Sequence, residues 1–182
     1  MSAADAAPPV FDIGHSTHAL DAFVALLDAH RIQCVIDVRR LPGSRRHPQF
    51  DGPALAASLA SHRIGYLHLA ALGGRRGRSL PQGAASPNGF WQNASFRRYA
   101  DYAMGADFQA GLAQLLELSA HTRCALMCAE VLWWRCHRRI IGDYLLAAGR
   151  TVCHILGDGR AEPAAMTPAA RRAGDHLVYP AS

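Results

Sequence analysis

The sequence predicts a single α/β domain with a mainly parallel sheet of about five strands flanked by helices. Two observations carry this. Short apolar runs alternate with stretches of helical periodicity along the chain, and each apolar run ends in glycines or polar groups rather than in a hairpin turn. A hydrophobic content of 50% with 18% charged residues in 182 residues is that of a chain with a sizeable core.

VFDIGHS (10–16) is a first short strand ending in Gly-His-Ser. THALDAFVALLDAHRI carries Leu20, Phe23, Val24 and Leu27 on one helical face. CVIDVRRLPGS (34–44) reads as a buried strand followed by a Pro-Gly turn, and PALAASLASHRI as a second helix through Leu55, Leu59 and Ile64. YLHLAALGG (66–74) is a third strand, and 75–89 a polar, turn-rich connection of the length that functional or disordered loops have. From Phe96 to Ser119 the pattern is helical with a break near Gly105. CALMCAE (124–130) is a fourth strand, CHRRIIGDYLLAAG a helix ended by Gly149, and TVCHILGDG a fifth strand. Residues 1–9 are expected to form a disordered tail, residues 10–182 the single domain, and the chain from about residue 158 an irregular segment.

All 19 basic residues are arginine, which excludes a Schiff-base lysine and a phosphate-binding loop with its lysine. Residues 1–38 hold five aspartates and one arginine, whereas residues 39–98 hold ten arginines against Asp51 alone. The middle third is thus a candidate anion-binding surface, or a solvated basic face. No run approaches the roughly 18 to 20 apolar residues of a membrane span, and no signal peptide is expected at the N-terminus. Five cysteines then read as reduced thiols of a cytoplasmic protein.

In an open parallel sheet, ligands bind where the strand-to-helix loops gather, at the carboxyl ends of the strands. Those ends read Gly14-His15-Ser16, Asp37-Val38-Arg39-Arg40, Leu72-Gly73-Gly74-Arg75 and Cys128-Ala129-Glu130. Asp37 needs a partner if buried, and Arg39 two residues on shares its side of the strand. The pair serves either to order the loop or in catalysis. Ser16, with His15, either caps the next helix or belongs to the site. His68 reads as a core or supporting histidine. Phe90, Trp91, Phe96 and Tyr99 either pack in the core or stack bases beside Arg97 and Arg98.

Cys124 and Cys128 share a strand face but stand about 13 Å apart, too far to bind one ion. Cys136 and His137, read as helical, point about 100° apart, so a zinc site would need distant ligands such as His15. No metal and no cofactor is therefore expected. Cys128, at a strand end before a helix and near arginines, is either a thiolate nucleophile or a small structural residue. Glu130 opposes an anion there but suits a general acid or base, as a carboxylate at a buried strand end requires a purpose or a partner.

GHST, VIDVRRLPGSRR, YLHLAALGG, FRRYADYAM and ALMCAE followed by CHRRIIGDYLLAAGRTVCHI together resemble the family catalogued as domain of unknown function 488, in order over roughly residues 11–156. The resemblance implies a compact α/β domain of bacterial and archaeal type and names no reaction. Its motif positions fall on His15, Ser16, Asp37, Arg39, Ser44, Arg45, Gly73, Gly74, Cys128, Glu130, Cys136, His137 and Arg138. The outline is also Rossmann-like, and VIDVRR with ALMCAE is similar to rhodanese-like domains. The loop AEVLWW is bulkier than the rhodanese loop, however, and Arg135 lies seven residues after Cys128 rather than the six of a phosphatase cysteine loop.

The expected function is that of a hydrolase or transferase whose partner is an anionic small molecule or a nucleic acid. Arg39, Arg45, Arg75 and Arg138, with Ser16, Ser44, Gly73, Gly74 and Cys136, would hold the anion, and Glu130, Cys128, His15, His137 and Asp37 would do the chemistry. Thiol-based transfer through Cys128 and a non-catalytic nucleic-acid-binding module are the alternatives.

Overall fold

The computed structural model describes residues 7–181, so residues 1–6 of the expected tail lie outside the described residues. The elements are β1 (Val10–Gly14), α1 (Leu20–Ala29), β2 (Cys34–Asp37), α2 (Gly52–Ser61), β3 (Gly65–His68), α3 (Ala94–Ala103), α4 (Ala106–Ser119), β4 (Cys124–Cys128), α5 (Arg138–Ala147), β5 (Val152–Ile155), β6 (Ala161–Pro163), β7 (Arg171–Ala173) and β8 (His176–Val178). Among the described residues, no helix is long and apolar enough to cross a membrane.

Six strands form the main sheet in the order β3-β2-β4-β1-β5-β6. All pairings are parallel except that of β6, which joins β5 antiparallel at the edge. β1 and β2 are buried along their whole length, and β4 up to its half-buried last residue, as continuous apolar runs covered on both faces should be. Alternation along these strands feeds two cores. Phe11, Ile13, Val35, Ala125 and Met127 pack with Phe23, Leu27, Leu55 and Leu59 of α1 and α2. Val10, Ile36, Val38, Leu126 and Val152 pack with Tyr99, Phe108, Leu112, Ile140, Ile141 and Tyr144 of α3 to α5.

The chain differs from the sequence reading at three places. The third strand ends at His68 and continues as a 3-10 turn, Ala70–Leu72, because Leu69 and Leu72 turn inward to the core. The segment after Gly157 is not irregular throughout: β6 extends the sheet to six strands, and β7 and β8 form a separate hairpin. The hairpin's Leu177 and neighbouring Tyr179 enter the α3–α5 core, the Tyr179 hydroxyl 3.0 Å from Asp143. Finally, the 75–89 connection is pinned at its far end. Asn88 is buried, donates to Asp101 at 2.8 Å and accepts from the Tyr179 N–H at 2.9 Å.

The strand order positions the site. β1 hands the chain to α1 on one face, whereas its neighbour β4 hands it to α5 on the other. The carboxyl ends of β1 and β4 are therefore the point where the winding reverses, the place where such sheets open a crevice. Here the two loops leave in close contact. The His15 N–H donates to Cys128 O at 2.9 Å and the Ser16 N–H to Ala129 O at 3.1 Å. A Cβ on Gly14 would stand 2.1 Å from Glu130 O, so only glycine admits this approach. Gly14→Ala is expected to lower stability by about 1–3 kcal/mol, measured as the midpoint shift in chemical denaturation; an unchanged midpoint would show that the two loops separate freely.

Candidate functional site

The strand-end residues gather, as the sequence suggests, but the sheet divides them into two clusters on opposite faces. On the α1–α2 face, Asp37 receives Arg39 through Nε at 2.9 Å and Nη2 at 2.6 Å, and the Tyr66 hydroxyl at 2.6 Å. Both members of the pair are buried, with the two-residue spacing placing them side by side. Arg39 Nη1 approaches His15 Nε2 at 3.4 Å, and the His15 ring stacks on Phe50 at 4.2 Å. His68 Nε2 donates to Arg39 O at 2.8 Å, the supporting role read for it. Burial and then the Arg39 guanidinium lower His15 from 6.5 to about 4, and burial raises Tyr66 above its ordinary value, with the Asp37 carboxylate adding to the rise.

On the α3–α5 face lies a cluster built around Arg138, which is 1% exposed. Its Nη1 meets Asp12 Oδ1 at 3.3 Å, its Nε donates to Cys136 Sγ at 3.2 Å, and its Nη2 donates to Glu130 O. Asp12 also bonds His154 Nδ1 at 2.5 Å, and Trp133 stacks flat on His154 at 3.8 Å. Asp12 and His154 escaped the sequence reading. Their signal was two polar residues inside apolar strands, at positions that alternation assigns to the same face.

Cys136 and His137 correct the sequence geometry. They were read as helical and divergent. Instead, the 3-10 turn Trp133–Arg135 delivers Cys136 in an extended conformation (φ −119°, ψ 151°), with His137 as the N-cap of α5. Cys136 Sγ and His137 Nδ1 are thereby 3.5 Å apart. His137 Nε2 lies 2.8 Å from Val38 O, a contact that requires Nε2 to carry the proton and leaves Nδ1 as a lone pair in the neutral ring. Tyr99 borders this ring edge-on at 5.0 Å, and a Cβ on Gly74 would strike His137 Nδ1 at 2.7 Å. Gly74 is thus required for the β3 loop to lie against His137.

Cys128, Cys136 and His137 bring three ligand atoms within 4.8 Å of one another, which corrects the expectation that no local metal-ligand set exists. The charge also sits differently from the sequence reading. The Cys128 thiol donating to it, with the Arg138 guanidinium adding to the effect, holds Cys136 well below the ordinary thiol value, and Cys128 is pushed up by Cys136 and burial. The downward direction thus falls on Cys136, which is 4% exposed, rather than on Cys128.

Other expected site residues fall at the rim. Glu130 is exposed, not buried, and its Oε1 accepts from the Leu132 N–H at 3.1 Å. Ser16 does not cap α1, whose N-cap is Ala19; it occupies a left-handed turn at φ 45°. Ser44 Oγ accepts from the His47 N–H at 3.1 Å, and Arg45 is exposed beside it. Arg40 and Arg75 are exposed and joined, Arg40 Nη1 donating to Arg75 O at 2.7 Å. Gly73 packs on the Arg40 backbone. Of the aromatics near Arg97, Trp91 and Tyr99 are buried in the core and are closed to base stacking, while Phe90 and Phe96 are half-buried against it.

A family model described as domain of unknown function DUF488 matches residues 19–145. No curated protein and no solved structure matches the chain.

Two outcomes follow from the α1–α2 face. His15, with its folded value below the unfolded one, contributes stability above pH 6.5 that is lost as pH falls toward about 4. NMR titration is expected to find its ring neutral until near pH 4; a midpoint near 6.5 would contradict the burial. Asp37→Asn strands the Arg39 cation and is expected to cost about 3–5 kcal/mol in thermal or chemical unfolding, with a loss under 1 kcal/mol as the contrary result.

Proposed function

The chain belongs to the family described as domain of unknown function DUF488, and we propose that this protein is a hydrolase or transferase acting on a phosphate-bearing substrate, a nucleotide or nucleic acid, at the carboxyl edge of β1, β2 and β4. One observation carries this reading. Arg40, Arg75 and Arg135 are exposed in the segments that adjoin Cys136 and His137, and no carboxylate pairs with them among the described residues. Unneutralised guanidinium forks are suited to phosphate oxygens.

Contacts already described connect the rim to the cluster. Arg75 follows the glycine that packs on His137, Arg40 lies two residues beyond the carbonyl that His137 bonds, and Arg135 precedes Cys136. In this reading Arg40, Arg75 and Arg135 hold the phosphates, the exposed Glu130 moves a proton at the rim, and Cys128, Cys136 and His137 form the reacting centre. Arg138 positions Cys136 from behind. Asp37, Arg39 and His15 shape the β2 loop rather than touch substrate, because all three are buried on the far face of the sheet.

A non-catalytic nucleic-acid-binding module is the second reading. It is favoured by Leu41 and Trp134, which are 75% and 46% exposed in the loops after β2 and β4, where an indole stacks on bases without reading sequence. Binding of a labelled single-stranded oligonucleotide and of nucleoside phosphates, measured across salt, tests both. Arg40→Ala with Arg75→Ala is expected to weaken binding about tenfold or more and to lower the salt slope by about 1–2. Unchanged affinity would remove the anion site. Turnover of a phosphoester panel that falls roughly 10²-fold in His137→Asn supports the enzyme; binding with no turnover supports the module.

A further inference from the structure

We propose that Cys128, Cys136 and His137 bind one thiophilic divalent ion of the zinc class, through two thiolates and His137 Nδ1, with one coordination position left for water or a substrate oxygen. The inference deepens the proposed function, on which it rests for the ion's catalytic meaning, though not for its binding.

The geometry agrees with such an ion. The three donor atoms lie within 4.8 Å of one another. A tetrahedral ion with metal–sulfur and metal–nitrogen bonds of about 2.3 and 2.0 Å has a sulfur–nitrogen edge of about 3.5 Å, and Cys136 Sγ stands 3.5 Å from His137 Nδ1. Neighbours in sequence reach one centre here only because Cys136 is extended before the helix begins. The donors come from two elements, Cys128 from the end of β4 and the other pair from the entry to α5, so the site exists only in the folded chain.

The surroundings complete the pattern. A metal-binding imidazole characteristically donates its other ring N–H to a carbonyl, which fixes the tautomer; His137 Nε2 does so to Val38 O at 2.8 Å. The Arg138 Nε–H donates to Cys136 Sγ at 3.2 Å, as a second-layer donor to a ligating thiolate does. Its positive charge is offset by Asp12 at 3.3 Å, so the cation does not oppose a divalent ion. Two thiolates then neutralise the ion itself. Sulfur with imidazole selects zinc-like ions over magnesium or calcium, which require oxygen donors. Three protein ligands leave a tetrahedral ion one position short, the arrangement of catalytic rather than structural zinc. An ion placed here, beside the arginine rim, would polarise a phosphoryl oxygen.

The test uses the full chain, stripped by a chelator under reducing conditions and titrated with cobalt(II), then zinc(II). One equivalent of cobalt is expected to give a tetrahedral visible spectrum with thiolate-to-cobalt charge transfer, abolished by one equivalent of zinc. Cys136→Ser and His137→Ala are expected to weaken binding at least 10²-fold, and Cys153→Ser, at a half-buried thiol on β5, to leave it unchanged. X-ray absorption of the zinc-loaded wild-type chain, which depends on no variant, is expected to show two sulfur ligands and one imidazole. No charge-transfer band, or a sulfur count of zero, overturns the site. Oligonucleotide binding on the same stripped protein separates the two readings. Arginine-dependent binding without an ion removes the metal alone; an ion without arginine-dependent binding removes the phosphate substrate alone.

Discussion

Arg138 is the residue on which the arrangement of the strand edge depends. An unpaired buried guanidinium would cost several kcal/mol, so its position dictates where its partners must be. It takes a carboxylate from the middle of β1 through Asp12, a sulfur from the entry to its own helix through Cys136, and a carbonyl from the loop after β4 through Glu130. Those contacts tie β1, the loop after β4 and α5 at the point where the winding of the sheet reverses. The shape of the loop 129–135 follows from them, including the flat stacking of Trp133 on His154. Asp12 serves two donors at once, Arg138 and His154, and so ties β5 to the same centre.

The sheet itself separates support from chemistry. Odd and even positions of one strand face different helices, and the Asp37–Arg39–Tyr66 cluster therefore sits behind the sheet from Cys136 and His137. The two are linked through backbone: His137 bonds the carbonyl of Val38, the residue between Asp37 and Arg39. Fixing the β2 loop from one side thus sets the imidazole tautomer on the other. The exposed Arg40, Arg75 and Arg135 belong to the segments that adjoin this centre, in which Cys136 is buried and Cys128 and His137 are half-buried.

Much of this edge was legible in the chain. Apolar runs ending in polar groups located the ends of β1, β2 and β4, though not that of β3, and the two-residue spacing of Asp37 and Arg39 paired those two residues. Gly105 divided the long helical stretch as read. What periodicity could not convey was the conformation of a few residues. CHRRIIGDYLLAAG reads as helical from Cys136, but the 3-10 turn Trp133–Arg135 before it leaves Cys136 extended and redirects it toward His137 and Cys128. Strands β6 to β8 are three residues each, too short for alternation to register, and β6 and β7 are mostly exposed. Asp12 and His154 were passed over because each sits alone in an apolar run, and their meeting depends on β1 pairing with β5 across 142 positions of chain, which no local pattern encodes. Glu130 was expected in the interior on the premise that the strand's burial continues past Cys128; the bulky loop carries it out to solvent instead.

The account stands on the claim that Asp12 and Arg138 are a single coupled unit holding the loop after β4 in place. A double-mutant cycle in unfolding free energy, with Asp12→Asn, Arg138→Met and the pair, measures that coupling directly. The account requires a coupling of about 2 kcal/mol or more, with the double variant less destabilised than the sum of the two. Additivity to within about 0.5 kcal/mol would contradict it.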